Sequence, residues 1–208
     1  MIKRIGFLAY PGVEELDLAG PWEMATMWQV YADGPDCLVV AAEKGSVRCA
    51  KGLLIAAEHD FGTCPSLDAL VVPGGFSAFD EMRNERLVGF IRDSGGEDKN
   101  ILSVCSGAFL LLAAGLLKNR RATTHWKVLD RLREAGVDVV EERFVRDGNV
   151  WSSGGVSAGM DLMLHFIAET AGADTAAEVQ HNAEYYPTRR LYGSAHLSSG
   201  MPAYMKNL

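Results

Sequence analysis

The chain has 208 residues, 48% hydrophobic and 23% charged, enough for one substantial core. Its net charge of −7, with no basic block beyond pairs such as Arg120–Arg121 and Arg189–Arg190, disfavours binding to nucleic-acid phosphates or to an anionic membrane. The apolar run Gly107 to Leu117 is too short to span a bilayer and the N-terminal run too short for a signal peptide, so a soluble, cytoplasmic protein is expected.

Lys3 to Tyr10 predicts a strand closed by the turn Pro11-Gly12. Pro21 to Ala32 predicts a helix with Pro21 in its first turn, where a missing N–H costs little. Cys37 to Glu43 is a second strand, and Ser46 to Asp60 reads as a hairpin about Lys51-Gly52. Leu67 to Gly75 is a buried strand running into a Pro-Gly-Gly turn. Phe79 to Asp93 has helical spacing at Met82, Leu87, Phe90 and Ile91. Asn100 to Cys105 is the next strand and Gly107 to Leu117 the next helix. Arg120 to Trp126 is strand-like, with Arg120-Arg121 a solvated turn. Lys127 to Ala135 is a helix stopped by Gly136. Asp147-Gly148 between two extended runs marks a hairpin. Gly159 to Thr170 and Thr175 to Tyr185 are helices, the second capped by Asp174. A domain of residues 1–188 is expected, followed by a tail or arm, 189–208, without clear period.

Strands alternating with helices imply a mostly parallel sheet covered on both faces, with sites beyond the carboxyl ends of its strands. Three such ends stand out: Pro11 to Asp17, Pro73 to Gly75, and Cys105-Ser106. A cysteine between a buried strand and a helix meets unpaired N–H groups and the helix dipole, which lower a thiol pKa. The same Cys105 also reads as an ordinary buried hydrophobe. Ser106, Gly107 and Ala108 let the chain turn sharply. The N–H groups after Cys105, and those of Gly74-Gly75, are candidate donors to developing negative charge. Asp17, between Leu16 and Leu18, sits in an apolar setting that raises a carboxyl pKa. Glu14 and Glu15 share that strand end, and His125 is the histidine nearest Cys105 in sequence. Cys37, Cys49 and Cys64 lack this context and read as structural free thiols. No cysteine or histidine spacing indicates a metal site. Asp161 reads as a helix-start acid, Met24, Met27, Met160 and Met163 as core, and Trp126 as packing beneath the site. Ser157 and Gly159 read either as pocket residues or as a loop and cap.

Taken together, "IGFLAYPGVEELDLAGPWE", "LDALVVPGG", "SVCSGAFLLLAAGLL", "RRATTHW", "RFVRDGNVWSSGGVSAGMDLML" and "EYYP" resemble, in order, the DJ-1/PfpI superfamily, which shares its fold with class I glutamine amidotransferases. The resemblance implies a flavodoxin-like three-layer sandwich with a mostly parallel central sheet and Cys105 at a strained nucleophile elbow. Within the superfamily the sequence is most similar to the isocyanide hydratase branch, which places a catalytic cysteine at Cys105 and a catalytic aspartate at Asp17. That branch has threonine where Ser106 stands. The peptidase-type branch has histidine there, so its Cys-His dyad is absent. The resemblance thus implies cysteine-dependent hydration of an isocyanide to an N-substituted formamide through a covalent thioimidate. Gly75 and Ser106 would orient the intermediate or water, with Glu15, Gly74 and His125 around the pocket. It implies no metal or organic cofactor, a small-molecule substrate and a homodimer, with helix 21–32 at the contact. Two other readings stand: a DJ-1-like glyoxalase or stress-response protein, and a ligand sensor like the N-terminal half of AraC-type regulators. The roughly 20 residues after Pro187 are too few for two DNA-binding helices.

Overall fold

The computed structural model describes residues 2–187, 192–194 and 200–206. Arg189–Arg190 and His196 lie outside them. At its centre, β1 (Arg4–Leu8) runs parallel to β2 (Asp36–Ala41) on one side and to β6 (Ala69–Val72) on the other. β7 (Asn100–Val104) lies beside β6, and β11 (Val150–Ser153) beside β7. β10 (Phe144–Asp147) forms the antiparallel edge and β5 (His59–Asp60) the other edge, giving the order β10-β11-β7-β6-β1-β2-β5. Two short pairs stand apart: the hairpin β3 (Gly45–Arg48) with β4 (Leu54–Ala57), and β8 (Arg121–Ala122) with β9 (Asp138–Val139).

The period-two alternation of buried strands builds two cores. Ile5, Phe7, Leu102, Val104 and Trp151 face α1 (Glu15–Tyr31), α6 (Ala158–Ala171) and α7 (Ala173–Asn182), meeting Leu18, Met24, Phe166 and Val179. Leu8, Leu70, Val72 and Ile101 face α3 (Glu85–Ser94) and α4 (Gly107–Ala113), meeting Leu87, Ile91, Phe109 and Leu110. The result is a three-layer sandwich of the flavodoxin-like kind. Met24 and Met163 are buried core residues, as expected, with Met27 and Met160 packed against them. No helix among the described residues is long and apolar enough to cross a membrane.

Several boundaries differ from the sequence expectation. α1 starts at Glu15, so Pro21 stands inside the helix rather than in its first turn. Glu15 and Asp17 in the first turn complement the helix dipole and carry the start forward. The segment Phe79 to Asp93 is two helices, α2 (Ala78–Glu81) and α3. Asn84 divides them by accepting the Leu87 N–H on its side chain at 3.2 Å. α4 stops at Ala113, ahead of Gly115 at φ 79°. The segment after His125 begins as a 3-10 turn, Trp126–Val128, before α5 (Leu129–Glu134). The β10–β11 turn is Gly148-Asn149, one residue later than read, because Asp147 pairs with Val150 and Gly148 supplies φ 64°. α7 opens at Ala173 after Gly172 (φ 103°), which leaves Asp174 in the first turn rather than at the cap. Arg120 is no solvated turn: its guanidinium donates to the Asp147 carbonyl at 2.7 Å and to Asn149 Oδ1 at 3.0 Å, bracing the hairpin. Near the C-terminus, Met201 is buried and Ala203–Lys206 form a short helix, α8.

Candidate active site

The three strand ends singled out in the sequence are neighbours, because β1, β6 and β7 lie side by side. Backbone contacts clamp them. Glu14 N–H donates to the Gly74 carbonyl at 2.9 Å, and the Tyr10 hydroxyl lies 2.8 Å from the Pro73 carbonyl and 2.9 Å from that of Gly74. The approach is too close for side chains. A Cβ on Gly107 would lie 2.1 Å from the Val72 carbonyl, and one on Gly74 would lie 2.6 Å from Ser106 N.

Cys105 occupies the junction of β7 and α4 at φ 57°, in the left-handed region that non-glycine residues rarely adopt. Three bonds hold it there: its N–H reaches the carbonyls of Ser153 (3.2 Å) and Gly154 (3.0 Å), and its carbonyl accepts the buried Thr124 hydroxyl at 2.7 Å. The side chain faces a pocket of about 170 Å³ walled by Phe76, Phe79, Val128 and Val156, with Glu14, His125 and Lys127 as its charged or polar members. Arg131 stacks 4.0 Å from the Phe79 ring centre, and Phe109 meets the same ring edge-on at 5.0 Å.

Asp17 is fully buried and does not line that pocket; its carboxyl lies behind the thiol. Oδ2 accepts the Gly74 N–H at 3.0 Å, whereas Oδ1 accepts no hydrogen bond of normal geometry from the described residues. Burial raises the Asp17 pKa from 3.8 to about 7, opposed by the Gly74 N–H and more weakly by the nearby Cys105 thiol and Val156 N–H. Of the two leucines beside it in sequence, Leu18 is buried and Leu16 is 39% exposed, so the apolar setting lies on one side only. Cys105 goes the opposite way from the sequence expectation: burial, then the Asp17 charge, push its pKa up to about 12. The helix-terminal N–H of Ser106 works against this without overcoming it.

Ser106 and Gly75 bind each other. The Ser106 hydroxyl donates to the Gly75 carbonyl and accepts the Gly75 N–H, both at 2.9 Å. The Gly75 N–H expected to face an intermediate is therefore engaged, and that of Gly74 serves Asp17. His125 lines the pocket, stacked on Trp126, with burial lowering its pKa. Its Nδ1 accepts the Lys127 N–H at 3.2 Å, which assigns the proton of the neutral ring to Nε2. Trp126 is half-exposed and outside the lining. Glu15 also does not line the pocket: it accepts the Lys51 N–H at 2.5 Å and faces Lys51 Nζ at 3.1 Å. Glu14, which does line it, pairs with the same ammonium.

Asp161 holds Arg143 (2.6 Å) and the Tyr185 hydroxyl (3.2 Å), a structural brace. Gly159 lets Pro21 and Val104 approach rather than touching the pocket. Sequence reasoning missed Tyr10, Thr124 and Val156. Only Tyr10 carried a signal, as the last residue before the Pro11-Gly12 turn. Val156, at φ 52°, has a conformation that a β-branched residue does not advertise. Among the described residues, no three His, Cys, Asp or Glu side chains converge to hold a metal.

A cysteine held at a left-handed elbow over a parallel sheet, against a buried carboxyl, defines a class. The chain belongs to the DJ-1/PfpI family, whose model matches residues 3–169. It is 41% identical over 189 residues to an isonitrile hydratase of Pseudomonas putida, spanning 90% of this chain and 80% of that protein. It is 29% identical over 157 residues to a deglycase of Pyrococcus horikoshii, spanning 74% of this chain and 91% of that protein. A crystal structure of a ThiJ/PfpI family protein from Pseudomonas syringae superposes with a TM-score of 0.87 at 34% identity, covering all of this chain and 84% of that one.

Proposed function

We propose that the protein hydrates an organic isocyanide, R–N≡C, to the formamide R–NH–CHO, with Cys105 as nucleophile and Asp17 as proton carrier. The observation that carries this reading is the buried Asp17 carboxyl against the thiol, in a chain 41% identical to an isonitrile hydratase. With Asp17 titrating near 7 and Cys105 near 12, the pair gives up its first proton from Asp17 around neutral pH and above that holds one proton, resting on sulfur. The thiol is thus not a standing thiolate; it is activated when Asp17 takes its proton.

Sulfur bonds to the terminal carbon of the isocyanide as Asp17 removes the thiol proton. Asp17 then delivers that proton to the same carbon, giving the thioimidate R–N=CH–S–Cys105. The carboxylate so restored takes a proton from water as the oxygen attacks the carbon, and passes it to nitrogen. The adduct R–NH–CH(OH)–S–Cys105 collapses: the C–S bond breaks, the hydroxyl proton returns to sulfur, and the formamide leaves. The Ser106 N–H, which faces the Cys105 sulfur, the Nε2–H of His125 and the Lys127 ammonium are pocket donors that would orient the intermediate and water. No step requires a metal or organic cofactor. A homodimer belongs to the same reading.

The test is formamide formation from a phenyl isocyanide by wild type, Cys105→Ala and Asp17→Asn, each checked for folding. Turnover by wild type alone supports the reading. A folded wild type that leaves isocyanide untouched but consumes methylglyoxal would replace it with the glyoxalase-type reaction.

A further inference from the structure

We infer that Tyr10 is a positioning residue for the Cys105–Asp17 pair, acting through the two peptide units on either side of Gly74. The inference rests on the hydration reading for its kinetic consequences and on the geometry alone for its structural ones.

Tyr10 ends the first strand, 2% exposed, and its phenol is held protonated: burial, then the charges of Asp17, Cys105 and Glu81, raise its pKa well above 10. Its one hydroxyl proton is shared between two buried acceptors, the carbonyls of Pro73 (2.8 Å) and Gly74 (2.9 Å), the second of which also accepts the Glu14 N–H at 2.9 Å. Each carbonyl belongs to a peptide unit whose N–H points into the site. The Pro73 carbonyl shares its unit with the Gly74 N–H, which among the described residues makes the only normal hydrogen bond to the Asp17 carboxyl. The Gly74 carbonyl shares its unit with the Gly75 N–H, which binds Ser106 Oγ. A planar amide bonded at its carbonyl is fixed in orientation and becomes a better donor at its nitrogen. The phenol thereby aims the donor to the proton carrier, and shares with the Glu14 N–H the hold on the unit whose N–H binds the residue after the nucleophile.

Asp17 is faced by the Cys105 thiol from the elbow, by Glu14 from the loop before its helix, and by the Gly74 and Val156 amides. Of these, the Gly74 amide is the one that Tyr10 grips. Removing the phenol weakens the donor that favours the carboxylate, so Asp17 holds its proton to higher pH. A stronger phenol donor has the opposite effect.

The experiment reads Asp17 without isocyanide, from the pH dependence of Cys105 alkylation by iodoacetamide. Ionisation of Asp17 produces a shoulder near pH 7 in that profile. Tyr10→Phe is expected to move the shoulder up by about 0.5 pH unit, and 3-fluorotyrosine at position 10, a stronger donor that keeps the packing, to move it down. The acid limb of isocyanide kcat follows in the same direction while KM stays level. If Tyr10→Phe does not fold, the fluorotyrosine variant alone decides. A shoulder that stays in place in folded variants overturns the inference. A shoulder that moves as expected in a protein that turns over no isocyanide upholds the positioning role and rejects the hydration reading.

Discussion

The Asp17 carboxyl lies behind the Cys105 thiol, out of the pocket that the thiol faces. The coupling is one-sided: the carboxylate helps to push the thiol up to about 12, whereas the thiol slightly eases the ionisation of Asp17, which its own burial holds near 7. In such an arrangement the carboxylate makes the thiol harder to ionise outright and easier to deprotonate directionally.

That relationship separates thiol ionisation from catalysis. Asp17→Asn is expected to abolish the shoulder near pH 7 in Cys105 alkylation and to bring the main rise down from about 12, because a raising charge is gone. Isocyanide turnover should nevertheless fall by a factor of about 100 or more, the scale of a lost general acid–base. Retained turnover in this variant, measured as formamide release, would remove Asp17 from the mechanism.

Asp17 also costs stability. Its folded pKa of about 7 exceeds the ordinary 3.8, so between those values the folded state binds the extra proton and stability falls as pH rises. The full loss is on the order of 4 kcal/mol at pH 8, lessened in Asp17→Asn by the amide N–H groups brought into the same corner. The variant is expected to melt several degrees higher than wild type at pH 8, with the difference closing toward pH 4. Calorimetry at the two pH values checks it.

Backbone crowding makes a second contrast. Gly107→Ala drives a methyl to 2.1 Å from the Val72 carbonyl and is expected to destabilise by about 3 kcal/mol or more. Gly89→Ala, in α3 with open space around it, is expected to stabilise by about 0.5–1 kcal/mol and leave turnover unchanged. Urea midpoints of the two variants give the comparison.

The pocket limits substrate size. Its volume of about 170 Å³ is close to the roughly 150 Å³ of an engineered cavity that takes one benzene. Phe79, gripped by Arg131 and Phe109, is a stiff wall of it. Phe79→Ala is expected to raise KM for a single-ring isocyanide about tenfold and to admit two-ring isocyanides that wild type refuses. Steady-state kinetics on the two substrates decide the point.

The mostly parallel sheet and the meeting of Cys105, Asp17 and the Gly74-Gly75 turn were legible because they follow from pattern: apolar runs, turn glycines and the rule that sites gather at strand ends. Hydrogen-bond direction was not legible. Nothing in "PGGFSA" says that the Gly75 N–H answers to Ser106, or that Glu15 leaves the pocket for Lys51. The thiol's pKa was misread because the helix-terminal effect is local and visible in sequence, whereas burial and a carboxylate from 88 positions earlier are neither. The start of α1 was misplaced because proline was read as a first-turn residue, while the acids ahead of it had already opened the helix.

Pro21 has no N–H to give to the carbonyl four residues back, and that carbonyl is Asp17's own. Asp17 is therefore less firmly stitched to the helix that carries it and more firmly to the turn after β6. A drift in the axis of α1 beyond the proline, whether from repacking or from a distant substitution, reaches Asp17 through a missing rung. The aim of the carboxyl is thereby insulated from the rest of its helix.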